Sequence, residues 1–373
     1  MKKALVIFGT RPEAIKLCPL IVRLQKEREW IQSVVCVTGQ HREMLDQFLE
    51  TFGVRPDYDL DVMKKGQTLF DVTTRVLTEA RRVLEREKPD ILLVQGDTTT
   101  TFAASLAAYY LRVKVGHVEA GLRSGEKYFP FPEELNRRMT SVIADLHFAP
   151  TESAMKNLLG EGIERDKIVV TGSTVIDALL WIKDKIGREK RTYRELEKID
   201  FKKKVVLVTG HRRENFGEEF EKVCKALRDI AEGNRDVEVV YPVHLNPRVK
   251  IPANKLLSGI KNIHLLDPLR YEPFVFLMCE SYLIVSDSGG IQEEAPALGK
   301  PVLVTRSVTE RPEGVEAGCV RLVGTDPERI KLEVNRLLRD EKSYKAMSKG
   351  TALYGDGNAS VRIIESLKQF LIS

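Results

Sequence analysis

At 373 residues the chain exceeds what one hydrophobic core normally serves, and 43% hydrophobic with 30% charged residues marks a globular protein, two domains being expected. The balance of 59 basic against 54 acidic residues, net charge +5, excludes a dedicated nucleic-acid surface, and no run of five Lys or Arg appears. The apolar run at the start stops after Phe8, too short for a signal peptide or a membrane span, and Cys18, Cys36, Cys224, Cys279 and Cys319 are scattered as reduced core residues would be; a cytoplasmic location is expected.

Taken in order, the chain repeats one unit. Lys3–Phe8 is a β-branched apolar run ending in Gly-Thr-Arg-Pro-Glu before the helical pattern Ala14–Lys26, with Pro12 suited to the first turn. Val34–Val37 ends in Thr38-Gly39-Gln40-His41 before a helix Arg42–Phe52, and Ile91–Val94 ends in Gln95-Gly96-Asp97-Thr98 before Ala103–Leu111. Val113–Val118 runs into Glu119-Ala120-Gly121-Leu122-Arg123-Ser124, and Ile168–Val170 into Thr171-Gly172-Ser173-Thr174 before a helix Val175–Ile186. Strand, polar glycine turn and helix in alternation predict a parallel sheet with ligands at the carboxyl ends of its strands.

Charge dominates Arg188–Lys204, which predicts a solvated connection or short surface helix. Val205–Thr209 restarts the pattern and ends in Gly210-His211-Arg212-Arg213-Glu214-Asn215; Val237–Val243, Ile263–Leu266, Tyr282–Val285, Pro301–Val304 and Val320–Val323 follow as strands. The expected fold is α/β, with two doubly wound Rossmann-like domains. The first covers residues 1–187 and the second residues 188–354, and a C-terminal helix within 355–373 packs back on the first.

The sharpest site signal lies in Ser281–Thr325. An apolar run breaks into Ser-Asp-Ser-Gly-Gly and then Ile291-Gln292-Glu293-Glu294-Ala295, a buried strand, a glycine turn and a helix start. Such a junction is an anion site: Ser286 and Ser288 offer hydroxyls, Gly289 and Gly290 let backbone N–H groups approach, and the helix dipole favours negative charge. Glu294 suits sugar or ribose hydroxyls, and Arg311 suits a diphosphate. Other strand ends add Arg11, Lys16, Asp97, Glu119, Glu133 and His211. If both domains direct these ends at one cleft, cations and a dipole hold a diphosphate while carboxylates and a histidine surround its sugar. Three acids at one site repel, so at least one is expected to titrate high and act as a general acid. Singly, Asp97 reads equally as an N-cap and Glu133 as a favoured first-turn carboxylate.

Absent motifs narrow the chemistry. There is no GxGxxG after a strand, no P-loop, no HExxH, CxxC or GxSxG and no zinc spacing, so neither metal nor cofactor is expected. Acids, bases and charge stabilisation remain.

Eight motifs in order, FGTRPEAIK, TGQHREMLDQ, QGDTTT, GHVEAGLRS, FPEELNRR, TGHRRENFG, YPVHLNP and SDSGGIQEEAPALGKPVL, give the chain a close resemblance to the non-hydrolysing UDP-N-acetylglucosamine 2-epimerases. The resemblance covers nearly the whole length. It implies the type-B glycosyltransferase fold with its active site in the interdomain cleft, UDP-GlcNAc and UDP-ManNAc as ligands, and a cytoplasmic homodimer supplying ManNAc units for surface polysaccharide. By motif, Arg11, Lys16, Ser288, Gly289, Gly290, Glu294 and Arg311 resemble the UDP-sugar ligands, and Phe274 the residue beside the uracil. Asp97, Glu119, Glu133 and His211 occupy positions similar to the catalytic ones. A second, activating UDP-GlcNAc site is implied at Gln40, Gln47, Glu134, Arg212 and His244. Ser173 departs from the Asn common in the family, and Leu269-Arg270 lies in a variable loop.

The C2 proton of a 2-acetamido sugar is not next to a carbonyl and is hardly acidic, so inversion without NAD needs elimination: UDP leaves C1 as C2 loses its proton, and both add back with the proton on the other face. Three rivals stay open: a hydrolysing epimerase releasing ManNAc and UDP, an inverting UDP-sugar glycosyltransferase, and a catalytically silent UDP-sugar sensor.

Overall fold

The computed structural model describes residues 1–372 apart from 40, 41, 65, 211, 213 and 214, and in 42–44 it describes the backbone alone. Two compact units make up the chain, Met1–Trp181 with Tyr354–Ser373 and Ile182–Leu353.

In the first unit the strands are β1 (Lys2–Phe8), β2 (Ile31–Val37), β3 (Tyr58–Asp59), β4 (Ile91–Gln95), β5 (Lys114–Val118), β6 (Leu146–Ala149) and β7 (Ile168–Val170). Among the described residues they form one parallel sheet in the order β3-β2-β1-β4-β5-β6-β7. Helices α1 (Arg11–Leu24), α2 (Arg42–Phe52), α3 (Leu69–Glu87), α4 (Thr99–Tyr110), α5 (Glu133–Ile143), α6 (Glu152–Gly160) and α7 (Thr174–Glu189) alternate with them. Val6, Ile7, Leu92 and Leu93 are wholly buried on both faces of the sheet, which is why these strands read as unbroken apolar runs. The order reverses between β1 and β4, so the turns after these two strands flank the crevice where doubly wound sheets bind ligands.

Caps set the helix starts. Helix α1 begins at Arg11, three residues before the apolar pattern predicts, because the Thr10 side chain accepts from the Glu13 N–H and Glu13 returns a bond in a capping box. Helix α4 likewise begins at Thr99 behind a Thr98 cap rather than at Ala103. Helix α3 goes unread in the sequence: Val72, Val76, Ala80, Val83 and Leu84 form a buried stripe diluted by polar neighbours.

Helix α7 runs past Trp181 and Ile182, so the division between the units falls inside a helix. The charged stretch after it is mostly exposed, as a surface connection should be, and holds one short 3-10 helix, Arg194–Leu196, but it is anchored at two apolar positions. Leu196 and Ile199 are buried, and Arg191 and Tyr193 both donate to Glu272, at 2.9 and 3.0 Å, because a buried carboxylate must gather donors.

The second unit contains β8 (Lys204–Thr209), β9 (Val237–Pro242), β10 (Ile263–Leu266), β11 (Leu283–Ser286), β12 (Val302–Val304) and β13 (Val320–Leu322). They too are parallel, in the order β10-β9-β8-β11-β12-β13, with the reversal between β8 and β11. Around them lie α8 (Glu218–Gly233), α9 (Pro247–Leu257), α10 (Tyr271–Glu280), α11 (Gly289–Ala297), α12 (Pro312–Glu316), α13 (Pro327–Arg339) and α14 (Glu341–Met347). The core joins Val206, Val208, Leu227, Ile230, Val239 and Val334.

The last helix, α15 (Ala359–Ile372), belongs to the first unit, where Asp177 of α7 accepts the Ala359 and Ser360 N–H groups at 3.0 and 2.7 Å. Its buried Ile363, Ile364 and Leu367 complete the attachment. Among the described residues no helix is long and apolar enough to cross a membrane. The cysteines are free, and burial pushes the Cys36 and Cys224 thiols up to about 12, which leaves them unreactive.

Candidate active site

In the first unit, the turns at the sheet reversal hold Arg11 and Asp97. Arg11 opens α1 and is exposed, while Lys16, one turn further, pairs its ammonium with the Glu119 carboxylate. Glu119 follows β5 with φ +65°, a left-handed conformation that costs a non-glycine residue about 1–3 kcal/mol and is retained where the surroundings impose it. This backbone brings Glu119 over the next turn: a methyl group on Gly96 would stand 3.7 Å from Glu119 Oε1. Asp97, the next residue, pairs with Arg137 of α5, and its carbonyl accepts the Asn136 amide at 3.0 Å. Lys16, Glu119 and Asp97 are thus brought to adjoining turns, and Glu133 is half-buried at the first position of α5, the helix whose Asn136 and Arg137 hold Asp97.

Each of two acids carries a cation, Arg137 for Asp97 and Lys16 for Glu119. Arg137 carries no sequence signal beyond lying in FPEELNRR. Glu134 is fully buried, accepts the Ser124 N–H at 3.0 Å and Arg138 Nε at 2.9 Å, and lies 3.5 Å from Arg137, which it steadies. A ligand meets Glu134 only by displacing these groups. His117, buried in β5, bonds the Gly96 carbonyl at 2.7 Å and fixes the turn from beneath. Burial pushes its imidazole down to about 3, so it stays neutral.

In the second unit the reversal places the turns after β8 and β11 together. His211 and Gln40, both expected functional residues, lie outside the described residues. The backbone beside His211 is braced: Asp287 Oδ2 accepts the Arg212 N–H at 2.9 Å, the Tyr241 hydroxyl donates to the Gly210 carbonyl at 2.9 Å, and the Asn215 amide to the Thr305 carbonyl at 3.1 Å. The Arg212 side chain is half-buried, His244 is exposed and caps the Asn246 N–H at 3.1 Å, and Gln47 is half-buried on α2.

Ser288 stands at the N-cap of α11 without a side-chain cap bond, so the first-turn N–H groups of Gly289 and Gly290 keep their dipole toward the turn. Ser286 does not offer its hydroxyl as the sequence suggests. It is buried, 2.6 Å from the Thr209 hydroxyl, and accepts the Ser288 N–H at 2.9 Å, shaping the turn instead. The Arg311 guanidinium lies against Gly289, where a methyl group would come within 2.7 Å of Nη1, and its Nε donates to Glu293. Glu293 is a residue the sequence reading left without a role; it orients the cation. Thr309 ties this loop to α11, donating to Gln292 Oε1 at 2.6 Å while accepting the Arg311 N–H at 3.1 Å. Glu294 is buried, accepts the Tyr271 hydroxyl at 2.8 Å, and lies 3.6 Å from where a Gly290 methyl would stand. Phe274 lies half-buried on α10, one turn after Tyr271.

An uncapped helix start with an oriented arginine suits a diphosphate, and cation-paired carboxylates suit proton transfer. A family model described as UDP-N-acetylglucosamine 2-epimerase matches residues 23–368. The chain belongs to this family. It is 56% identical over 375 residues to the UDP-N-acetylglucosamine 2-epimerase of Escherichia coli K12, covering all of both chains. Its fold is similar to the UDP-GlcNAc 2-epimerase of Neisseria meningitidis bound to UDP-GlcNAc, with TM-score 0.91 and 50% identity over 98% of this chain and all of that one. The Methanocaldococcus jannaschii enzyme in complex with UDP-GlcNAc and UDP gives 0.80 and 34% over 99% of this chain and all of that one. These matches establish two parallel-sheet α/β domains of the type-B glycosyltransferase kind for this family member.

Buried neutral His117 has a pH consequence. Unfolded, it binds a proton below about 6.5; folded, it binds one only near 3, so its contribution is complete above 6.5 and is lost as pH falls through that window. His147, its register partner in β6, held down to about 4 mainly by burial, acts in the same sense, and Arg123 and Arg137 add to the bias at His117. His117→Gln is expected to flatten the acid loss of stability by up to about 1.4 kcal/mol per pH unit, read from urea midpoints between pH 7 and 4. An unchanged slope would refute the buried neutral state.

Proposed function

We propose that this chain interconverts UDP-GlcNAc and UDP-ManNAc by eliminating UDP and adding it back through a 2-acetamidoglucal, without releasing free sugar. The observation that supports this best is the division of labour between the two sheet reversals. One carries carboxylates, and the other carries a helix start with an oriented arginine. The names of relatives matched over full length support the 2-epimerase part of this reading.

In the forward half, a carboxylate takes the C2 proton while the C1–O bond breaks and its electron pair leaves with UDP. The C2–H electrons become the C1=C2 double bond. Proton delivery to the other face of C2 and attack of the diphosphate oxygen on C1 close the cycle. Asp97, Glu119, Glu133 and His211 are proposed for the proton steps. Lys16 and Arg137 pair with two of these acids, Glu119 and Asp97, and fix where their carboxylates point. Arg11, Arg311 and the Ser288, Gly289 and Gly290 turn stabilise the departing diphosphate, Glu294 holds sugar or ribose hydroxyls, and Phe274 lies beside the base.

The reading extends to a cytoplasmic homodimer that supplies ManNAc units for surface polysaccharide. Tyr109, Tyr110 and Val142 on the adjoining α4 and α5 are 62, 68 and 82% exposed, and we propose these apolar side chains as contacts with a second copy. Tyr110→Glu with Val142→Glu should halve the mass seen by light scattering; an unaltered mass places any dimer elsewhere.

Incubated with UDP-GlcNAc alone, the protein is expected to form UDP-ManNAc, followed by proton NMR, and in D2O the product should carry deuterium at C2. Free ManNAc with stoichiometric UDP would select hydrolysis instead. Asp97→Asn, Glu119→Gln and Glu133→Gln should each lose about 10²-fold or more in turnover. Arg311→Ala should weaken UDP binding by about 1.5–3 kcal/mol. Normal turnover in all three acid variants would overturn the role assignment.

A second, activating UDP-GlcNAc site is proposed at Gln40, Gln47, Glu134, Arg212 and His244, Glu134 acting through Arg137. UDP-ManNAc alone should then turn over slowly until UDP-GlcNAc is added, and Arg212→Ala should abolish the acceleration. Full initial rate without a lag would exclude that site.

A further inference from the structure

Glu13 is a buried carboxylate, 1% exposed, that none of these roles uses. Its Oε2 accepts the Gly9 N–H at 3.0 Å and the Thr10 N–H at 2.7 Å, and its Oε1 accepts the Thr98 hydroxyl at 2.7 Å. The Thr101 hydroxyl also lies 3.3 Å from Oε1, but its single proton is better placed toward the Gln95 carbonyl at 2.6 Å. A capping box accounts for the Thr10 side alone. The Thr98 bond crosses from the turn after β1 to the turn after β4, between residues 85 apart in sequence. Thr98 in turn caps α4 by accepting the Thr101 N–H at 3.1 Å. One carboxylate thus joins the N-termini of two helices, whose dipoles both favour its charge. Burial pushes its carboxyl up, and the bonds from Thr10, Thr98 and Gly9 work against that shift.

We infer that Glu13 is a positioning residue that locks the turn bearing Arg11 to the turn bearing Asp97, so that the cation and the acid keep one fixed separation. The inference rests on the epimerase reading for its kinetic consequence, while the coupling itself is measurable without it. A replacement of the same shape, Glu13→Gln, keeps an acceptor for Gly9 and Thr10 but presents an uncharged amide N–H₂ to Thr98, so the cross-turn bond loses its charged acceptor and is weakened.

Hydrogen exchange of the segment 95–104 should quicken in Glu13→Gln. Its kcat for UDP-GlcNAc should fall about 10-fold or more with KM within about twofold, since small misplacements of reacting groups are costly in rate. In an Asp97→Asn background the same change should alter the residual single-turnover rate by less than about twofold, because the positioned group is already gone. If Glu13→Gln does not fold, Thr98→Val removes the hydroxyl that Glu13 accepts; because it also uncaps α4, its readout is exchange across the link, in segment 8–13, which should quicken. Unchanged exchange overturns the coupling, and an equal loss of rate in both backgrounds overturns the positioning role in favour of a general structural one. Failure of the unaltered protein to act on UDP-GlcNAc would count against the epimerase reading alone, because the exchange result stands by itself.

Discussion

Parallel strand pairing is the constraint from which the rest follows. A parallel sheet sends every crossover back over a face, so all its strands end at one edge, and each helix that follows starts there with its N–H groups unsatisfied. Edge and dipole together create a strip of turns suited to negative charge. The reversals between β1 and β4 and between β8 and β11 decide which turns on that strip face a crevice. Those turns carry Gly9, Thr10 and Arg11, Gly96 and Asp97, Gly210 and Arg212, and Ser288 with Gly289.

Charge at these edges is arranged in partnerships. Two half-buried carboxylates are each set beside a cation, Asp97 by Arg137 and Glu119 by Lys16. Cations receive the same treatment, Arg311 being aimed by Glu293, and Arg306 held by both oxygens of Glu310 at 2.9 and 3.1 Å. Burial opposes the charge on Glu310, yet the Arg306 pair and the nearby Arg212 hold its carboxyl down to about 2. Fixed charges oriented before a ligand arrives need no reorganisation when charge develops on it.

Strain and support occur at the same places. Glu119 keeps a left-handed backbone at the end of β5, Gly96 takes φ +73° above the His117 ring, and Gly289 leaves the room that Arg311 fills. A side chain on Gly289 would evict the guanidinium, so glycine there serves close approach rather than a positive φ.

Much of this was legible in the chain. The strands after which Asp97, Glu119 and Ser288 fall read directly, because strands buried on both faces are continuous apolar runs and their glycine turns punctuate them. The family resemblance and the two-domain α/β fold were legible for the same reason. Helix starts at Arg11 and Thr99 were not, since a capping threonine shifts a boundary that hydrophobic period alone places later, and the buried Leu196 and Ile199 were hidden in a charged stretch. Ser286 was read as a ligand hydroxyl, whereas packing turned it inward. What the sequence determined by itself is the kind of residue at each strand end; what only the tertiary structure decided is which partner each one holds. Asp97 and Arg137 are 40 residues apart, Glu119 and Lys16 103, Arg311 and Glu293 18, Glu13 and Thr98 85. Hydrophobic periodicity specifies the face a side chain takes, but neighbours at such separations are chosen by strand order and crossover packing, which no local pattern encodes.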